Sequence, residues 1–218
     1  MRTIIILLGF IAFRSTAFGQ DTTYNTVINQ LLSIDELDQK YRNQLEEVQT
    51  KYGGDSKELK VLFRKMKEAD SLNLIQVEGI ISKYGWLSYN TIGNQGNTTL
   101  FMVIQHSDLK TQEKYLPIMR EAVKNGKAKP HSLALLEDRV ALLQGKKQIY
   151  GSQVIWNMKT NAAFVAPLYD PNNVDKRRVE VGLPPLAEYL AEMEIKWNVE
   201  QYKKDLPLLE AEFFKKNK

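Results

Sequence analysis

The sequence predicts a mainly α domain with a small β-hairpin, an α+β arrangement in which an N-terminal helical hairpin packs on a helical core. Three observations predict it. Apolar residues recur every three or four positions through most of the 218 residues, which gives each helix one apolar stripe. Capping residues and glycines punctuate these stretches. Only Gln148 to Met158 and Ala162 to Leu168 change to aromatic and β-branched residues, the composition of paired strands. With 43% hydrophobic residues the chain has enough apolar material for one ordinary core.

Residues 1–19 read as a secretory signal. Arg2 supplies the positive start, Thr3 to Phe13 the apolar stretch, and Ala17-Phe18-Gly19 the small-residue end, so cleavage is expected before Gln20. A membrane anchor needs roughly 20 consecutive apolar residues, and Arg14 stops the run short of that. The expectation is a periplasmic or secreted bacterial protein with no stable membrane span after cleavage.

Residues 20–84 form the expected helical hairpin. Val27, Leu31, Ile34, Leu37, Tyr41, Leu45 and Val48 predict one long helix from Thr22 to Tyr52. Gly53-Gly54-Asp55-Ser56 stops it and caps a second helix, whose stripe includes Leu59, Leu62, Phe63, Met66, Leu72, Ile75, Ile80 and Ile81. Residues 85–218 form the core. Gly85 to Asn97 reads as an irregular glycine- and asparagine-rich loop, with Asn97 or Thr98 capping the apolar helix Leu100 to Gln105. Such a loop can bind an anion through free amides, but it lacks the Lys-Ser/Thr ending of a P-loop.

Asp108 is the expected cap of a helix from about Thr111 to Lys124, and Pro130 opens another that Gly145 closes after Leu143. The hairpin follows, turning at Lys159-Thr160-Asn161. Asp170-Pro171 opens a short helix closed by Gly182, Pro184-Pro185 starts the next, and Trp197 to Lys218 is a helical tail.

Composition excludes several chemistries. Without cysteine there is no disulfide framework, thiolate metal site or cysteine nucleophile, and His106 and His131 are the only imidazoles. Two distant histidines lack zinc-ligand spacing, and no Asp-rich loop suits calcium, so no metal or cofactor is expected. Removing Arg2 and Arg14 would lower the net charge from +4 to about +2, with no clustered basic face, which argues against nucleic acid as a partner.

His106 ends an apolar helix and shares a face with Thr99, Met102 and Val103, which places it inward or in a cleft, where an imidazole can be tuned for proton transfer. Asp138 lies among the small residues Ala134, Ala141 and Gly145, beside Arg139. It is either the group that orients His106 or a buried strut. Gln148, Tyr150 and Ser152 alternate on one face of an extended chain, with Gln153 next, and one of Arg177 and Arg178 must face inward toward an anion or carbonyl.

Gly85-Trp86, Gln105-His106-Ser107-Asp108, Asp138-Arg139-Val140, Gln148-Ile149-Tyr150-Gly151-Ser152-Gln153 and Arg177-Arg178 before Gly182-Leu183 together resemble an uncharacterised bacterial family, a domain of unknown function. The resemblance covers about Ser82 to Glu192, and Ser152 stands where the family usually has threonine. It implies a shared polar site and no particular reaction.

Three functional readings follow. In the first, an exported hydrolase or transferase uses His106 as general acid or base, with Asp138 and Tyr150 as its catalytic partners and Trp86, Arg139, Gln148, Gln153, Arg177 and Arg178 binding an anionic or amide substrate. In the second, a non-catalytic module binds a small molecule, an envelope component or a protein. In the third, the same side chains form an internal hydrogen-bond network that fixes the hairpin on the helices.

Overall fold

A computed structural model describes residues 17–157 and 162–216, with side chains over 24–156 and 163–215. Most of the expected signal (residues 1–16) and the hairpin turn 158–161 lie outside the described residues.

Helix α1 (Ala17–Arg42) and helix α2 (Leu45–Tyr52) divide the stretch expected to be one helix. The break has a local cause. At Asn43-Gln44 the chain tightens, with the Gln44 amide reaching Tyr41 O at 3.2 Å. The Arg42 and Gln44 side chains donate to Asp38 O and Lys40 O at 2.7 Å each, and Lys40 O is one of the carbonyls that an ending helix leaves unpaired. The buried face of α1 is Val27, Leu31, Ile34 and Asp38, so its last inward position holds a carboxylate instead of Leu37 or Tyr41.

Helix α3 (Lys57–Tyr84) begins as expected at Ser56, whose Oγ accepts from Leu59 N at 3.2 Å. It turns Leu59, Leu62, Ala69, Asn73, Val77, Ile80 and Ile81 inward, leaving Phe63, Leu72 and Ile75 exposed.

Helix α4 (Tyr89–Gln105) overturns the loop expected over Gly85 to Asn97. Ser88 caps it, and Gly93, at φ 74°, kinks it. Gly96 is buried where a Cβ would come within 3.2 Å of Leu31, so the glycine allows α1 and α4 to approach closely. Asn97 is no cap. Its amide donates to Leu87 O at 2.8 Å and Lys127 O at 2.9 Å, tying two loops to the buried side of α4.

Asp108 caps helix α5 (Leu109–Lys124) through Thr111 N at 2.8 Å, and Pro130 opens helix α6 (Pro130–Leu143). Strands β1 (Val154–Asn157) and β2 (Ala162–Val165) pair antiparallel with Val154 opposite Val165. They are shorter than expected because Gln148 to Gln153 folds into a turn, leaving Gln148 in one isolated bridge to Leu168. A 3-10 turn (Pro171–Asn173) leads to helices α7 (Val174–Glu180), α8 (Leu186–Ala191) and α9 (Val199–Lys216).

The protein is thus mainly α with a small β-hairpin. One apolar cluster joins α1, α3, α4, α5 and α6 through Leu31, Ile34, Val77, Leu100, Met119 and Leu136. A second gathers Val165, Leu168, Val174, Leu186, Leu190 and Tyr202 under the hairpin. No helix of the described residues is long and apolar enough to cross a membrane.

Candidate functional site

The inward carboxylate of α1 meets the end of α4. His106 occupies the C-cap position of α4, and its Nδ1 lies 2.9 Å from Asp38 Oδ1. Asp38 is 2% exposed and His106 14% exposed. Asp38 also receives hydrogen bonds from Gln39 Nε2 at 2.8 Å and Arg42 Nη1 at 3.3 Å, so its buried charge is compensated. The imidazole Nε2 has no protein partner among the described residues and is not sealed from solvent. This is the geometry of an oriented acid–base group, with one ring nitrogen held by a carboxylate and the other open.

Arg42 bridges two acids, since its Nη2 reaches Asp70 Oδ1 at 2.7 Å. Asp38, Asp70 and His106 each offer a ligand atom, all within 4.8 Å of one another. A metal ion held there would have to displace or oppose the guanidinium that already bonds both carboxylates, so these residues fit an ion-pair network better than a metal centre.

Asp138 does not meet His106. Buried on α6, it accepts from Ile149 N at 2.6 Å, Tyr150 N at 3.0 and 3.2 Å and Ser152 N at 2.9 Å. Burial raises its pKa, against the opposing pull of these N–H groups. The buried-strut reading of Asp138 is therefore the one its contacts match. The neighbouring motif residues hold the same turn. Gln148 Nε2 donates to Gln153 O at 3.0 Å and Ala166 O at 2.9 Å, while its Oε1 accepts from Gln153 N at 2.8 Å. Arg177 Nε donates to Ile149 O at 2.9 Å, and its Nη2 to Tyr169 O at 2.7 Å.

Of the two arginines, Arg178 is the one that faces inward, at 1% exposure. It donates to Tyr150 O at 2.8 Å and Pro184 O at 2.6 Å, so its partners are carbonyls. Its Nη2 is buried without a hydrogen-bond partner among the described residues. Gly151 sits at φ 69°, where an added Cβ would lie 3.2 Å from Leu186, so glycine is required there for both backbone and space. Trp86, expected to touch substrate, is a core side chain at 4% exposure.

Arg139 and Gln153 pair with each other, and Gln153 also reaches the backbone of α6. Arg139 Nε donates to Gln153 Oε1 at 3.1 Å. Gln153 Nε2 and Gln105 Nε2 both approach Leu135 O, at 3.4 and 3.5 Å, which places the turn beside the residue preceding His106. Burial and then the like charge of Arg42 lower the pKa of Arg139, so the two guanidinium groups are within electrostatic reach. Arg139 has no carboxylate partner among the described residues, and its Nη groups are not sealed from solvent. Tyr150 is half-buried, which raises the pKa of its phenol, and the hydroxyl has no partner among the described residues.

A cleft of about 620 Å³ is lined by residues that include Leu45, Glu46, Trp156, Glu192, Met193 and Glu194, and its lining contains neither His106 nor Arg139. Tyr189 lies under the Arg178 guanidinium at 5.0 Å and donates to Ser152 O at 3.0 Å.

Sequence reasoning brought His106, Arg139 and Gln153 to this region and missed Asp38, Arg42 and Asp70. A signal for Asp38 was present, because it continues the spacing Val27, Leu31, Ile34 onto the buried face of α1. Asp70 carried none, since it pairs across two helices through Arg42.

A family model described as a family of unknown function, DUF6624, matches residues 26–201. No curated protein and no solved structure matches the chain. The match begins well upstream of Ser82 and includes Asp38 and the helical hairpin from residue 26 onward. Running from within α1 to the start of α9, it shows that the chain belongs to the DUF6624 family of unknown function.

Proposed function

We propose that the protein is an exported hydrolase or transferase that uses His106 as its general acid–base group on a substrate with an anionic group bound by Arg139. The observation that carries this reading is the 2.9 Å contact between His106 Nδ1 and the buried Asp38 carboxylate, with Nε2 making no hydrogen bond among the described residues. Asp38 accepts the Nδ1 proton, fixing the tautomer whose Nε2 lone pair faces outward. Nε2 takes the proton of an attacking water or acceptor hydroxyl, and the resulting imidazolium returns it to the leaving atom. Asp38 stabilises the imidazolium while it lasts.

The attacking group comes from outside the chain. The nearby serines are otherwise engaged, as Ser107 Oγ donates to Ile104 O at 2.6 Å and Ser152 Oγ accepts from Gln153 Nε2 at 3.0 Å. Gln153 positions Arg139, and the Tyr150 hydroxyl is a further donor for the substrate. Asp138, Gln148, Arg177 and Arg178 act through the turn that presents Gln153. Trp86 acts only as packing.

The test is a turnover screen of small amides, esters, glycosides and phosphoesters, read by mass spectrometry with wild-type protein, His106→Ala and Asp38→Asn. Turnover by the wild type should fall about 10²–10⁴-fold in His106→Ala, the usual contribution of a general acid–base group. Equal turnover in that variant, or saturable binding without product, would replace the enzyme reading with the binding module. Export is supported by the charged start, apolar stretch and small-residue end before Gln20. N-terminal sequencing of protein recovered from the native host should begin at Gln20; an intact Met1 contradicts export by cleavage.

A further inference from the structure

We infer that Arg42 and Asp70 form a charge-setting pair behind Asp38, in which Arg42 keeps the His106 ring free to be neutral and Asp70 keeps it free to take up a proton. Both are positioning residues, since Asp38 is the residue that bonds the ring. The consequence for turnover rests on the acid–base reading above, while the pairing itself does not.

The need for Arg42 follows from what otherwise surrounds the ring. Asp38 is 2% exposed and its Oδ1 lies 2.9 Å from His106 Nδ1, so its charge is poorly screened and favours the imidazolium. His106 stands at the C-cap of α4, where the free carbonyls of the helix end favour a cation as well. Asp70 adds a second carboxylate, with the ligand atoms of all three side chains within 4.8 Å of one another. A ring held permanently charged has no lone pair on Nε2 and takes no proton from an attacking group. Arg42 opposes these pulls. Its Nη1 lies 3.3 Å from Asp38 Oδ1, the oxygen that also meets the ring, and its Nη2 lies 2.7 Å from Asp70 Oδ1.

The distances give Asp70 its part. Nη1 places its shorter bond, 2.7 Å, on Asp38 O, and Nη2 is engaged by Asp70. At 3.3 Å the contact with Asp38 Oδ1 is longer than the roughly 2.7–2.9 Å of a strong charge-assisted bond. Asp38 therefore keeps the acceptor strength that the Nδ1 proton needs. Without Asp70 the charge of Arg42 would fall on Asp38 alone, and the ring would lose support for its charged form. A guanidinium fork permits this division, whereas an ammonium offers a single point charge. Packing fixes the parts, since Arg42 ends α1, Asp70 lies on α3, and Asn73 of α3 donates to Ile34 O of α1 at 3.3 Å. Other charged groups on the elements around the end of α4 make no bond to the ring: Asp35 on α1, Glu78 on α3, Asp108 before α5, and Glu137 and Arg139 on α6. Glu78 and Glu137 are paired with Lys114 and Arg120.

Titration of the His106 ring by NMR in the full mature chain tests this, with His131, the other imidazole of the sequence, as internal reference. Arg42→Gln removes the opposing charge and should raise the midpoint of the ring by about 1 pH unit, a tenfold change in proton affinity. Asp70→Asn removes a carboxylate and turns Arg42 wholly onto Asp38, and should lower the midpoint by about 0.5 unit. The double variant should fall between the two, and Arg42→Lys, which keeps the charge, should move the midpoint less than Arg42→Gln does. His131 should stay within about 0.2 unit throughout, with circular dichroism unchanged. Shifts of the same sign in the two single variants, or a folded Asp70→Asn whose midpoint stays within about 0.2 unit of the wild type, overturn the proposal. If Arg42→Gln does not fold, the direction of the Asp70→Asn shift decides alone: downward supports the pair, upward overturns it. Because the ring is read without turnover, failure of the pair is distinguishable from failure of the His106 mechanism, which the substrate screen decides.

Discussion

Asp138 illustrates how a buried carboxylate can be chemical in appearance and architectural in effect. Three backbone N–H groups of the 149–152 turn converge on it, and an asparagine would turn its own NH2 toward one of them. Asp138→Asn is therefore expected to lose about 2 kcal/mol of stability, the cost of unpaired buried donors. Urea unfolding at neutral pH measures this, and a loss below about 0.5 kcal/mol would mean that the turn holds itself without Asp138. The sequence showed that Asp138 was special because small residues flank it, but left strut and catalyst equally open. Which groups a carboxylate satisfies depends on a turn eleven to fourteen residues away, and no periodicity encodes that. Asp38 is the converse case. Its place on the inward face was readable from the spacing, while its partner His106 lies sixty-eight residues along the chain.

At the scale of elements, helix ends were the most legible features, because Ser56 and Asp108 cap through local bonds that spacing alone specifies. The stretch before Asn97 misled for an equally physical reason. Glycine and asparagine are turn formers when local preference decides, yet Gly96 serves the close contact with Leu31 and Asn97 bridges two carbonyls. Tertiary packing overrides propensity there.

The tail helix α9 depends on one such tertiary contact. Tyr202 OH donates to Ala166 O and accepts from Leu168 N, both at 2.8 Å. Burial raises its phenol pKa above the ordinary 10.0. The folded state thus holds this proton more tightly than the unfolded chain does. The stability it contributes is complete below pH 10 and is lost as the pH climbs toward the raised value. Tyr202→Phe should cost about 1–3 kcal/mol at neutral pH, from two lost hydrogen bonds, and should flatten the alkaline loss of stability. Thermal unfolding across pH 7 to 11 would contradict this if both proteins declined in parallel.

Over the whole molecule, the candidate site exists because distant parts of the chain converge. α1 supplies Asp38 and Arg42, α3 Asp70, the end of α4 His106, and α6 with its following turn Arg139 and Gln153. The family motifs on the C-terminal side mostly build the turn, and the helical hairpin contributes the carboxylate that His106 meets. The hairpin is therefore part of the site as well as part of the packing.

The most direct measurement is the tautomer of His106, read from two-bond ¹H–¹⁵N couplings at a pH where the ring is neutral. If Asp38 orients it for proton transfer, the proton resides on Nδ1 in the wild type. In Asp38→Asn, whose amide can donate to Nδ1, it moves to Nε2. A wild-type ring protonated on Nε2, or one indifferent to the substitution, would contradict the pairing on which the proposed chemistry rests.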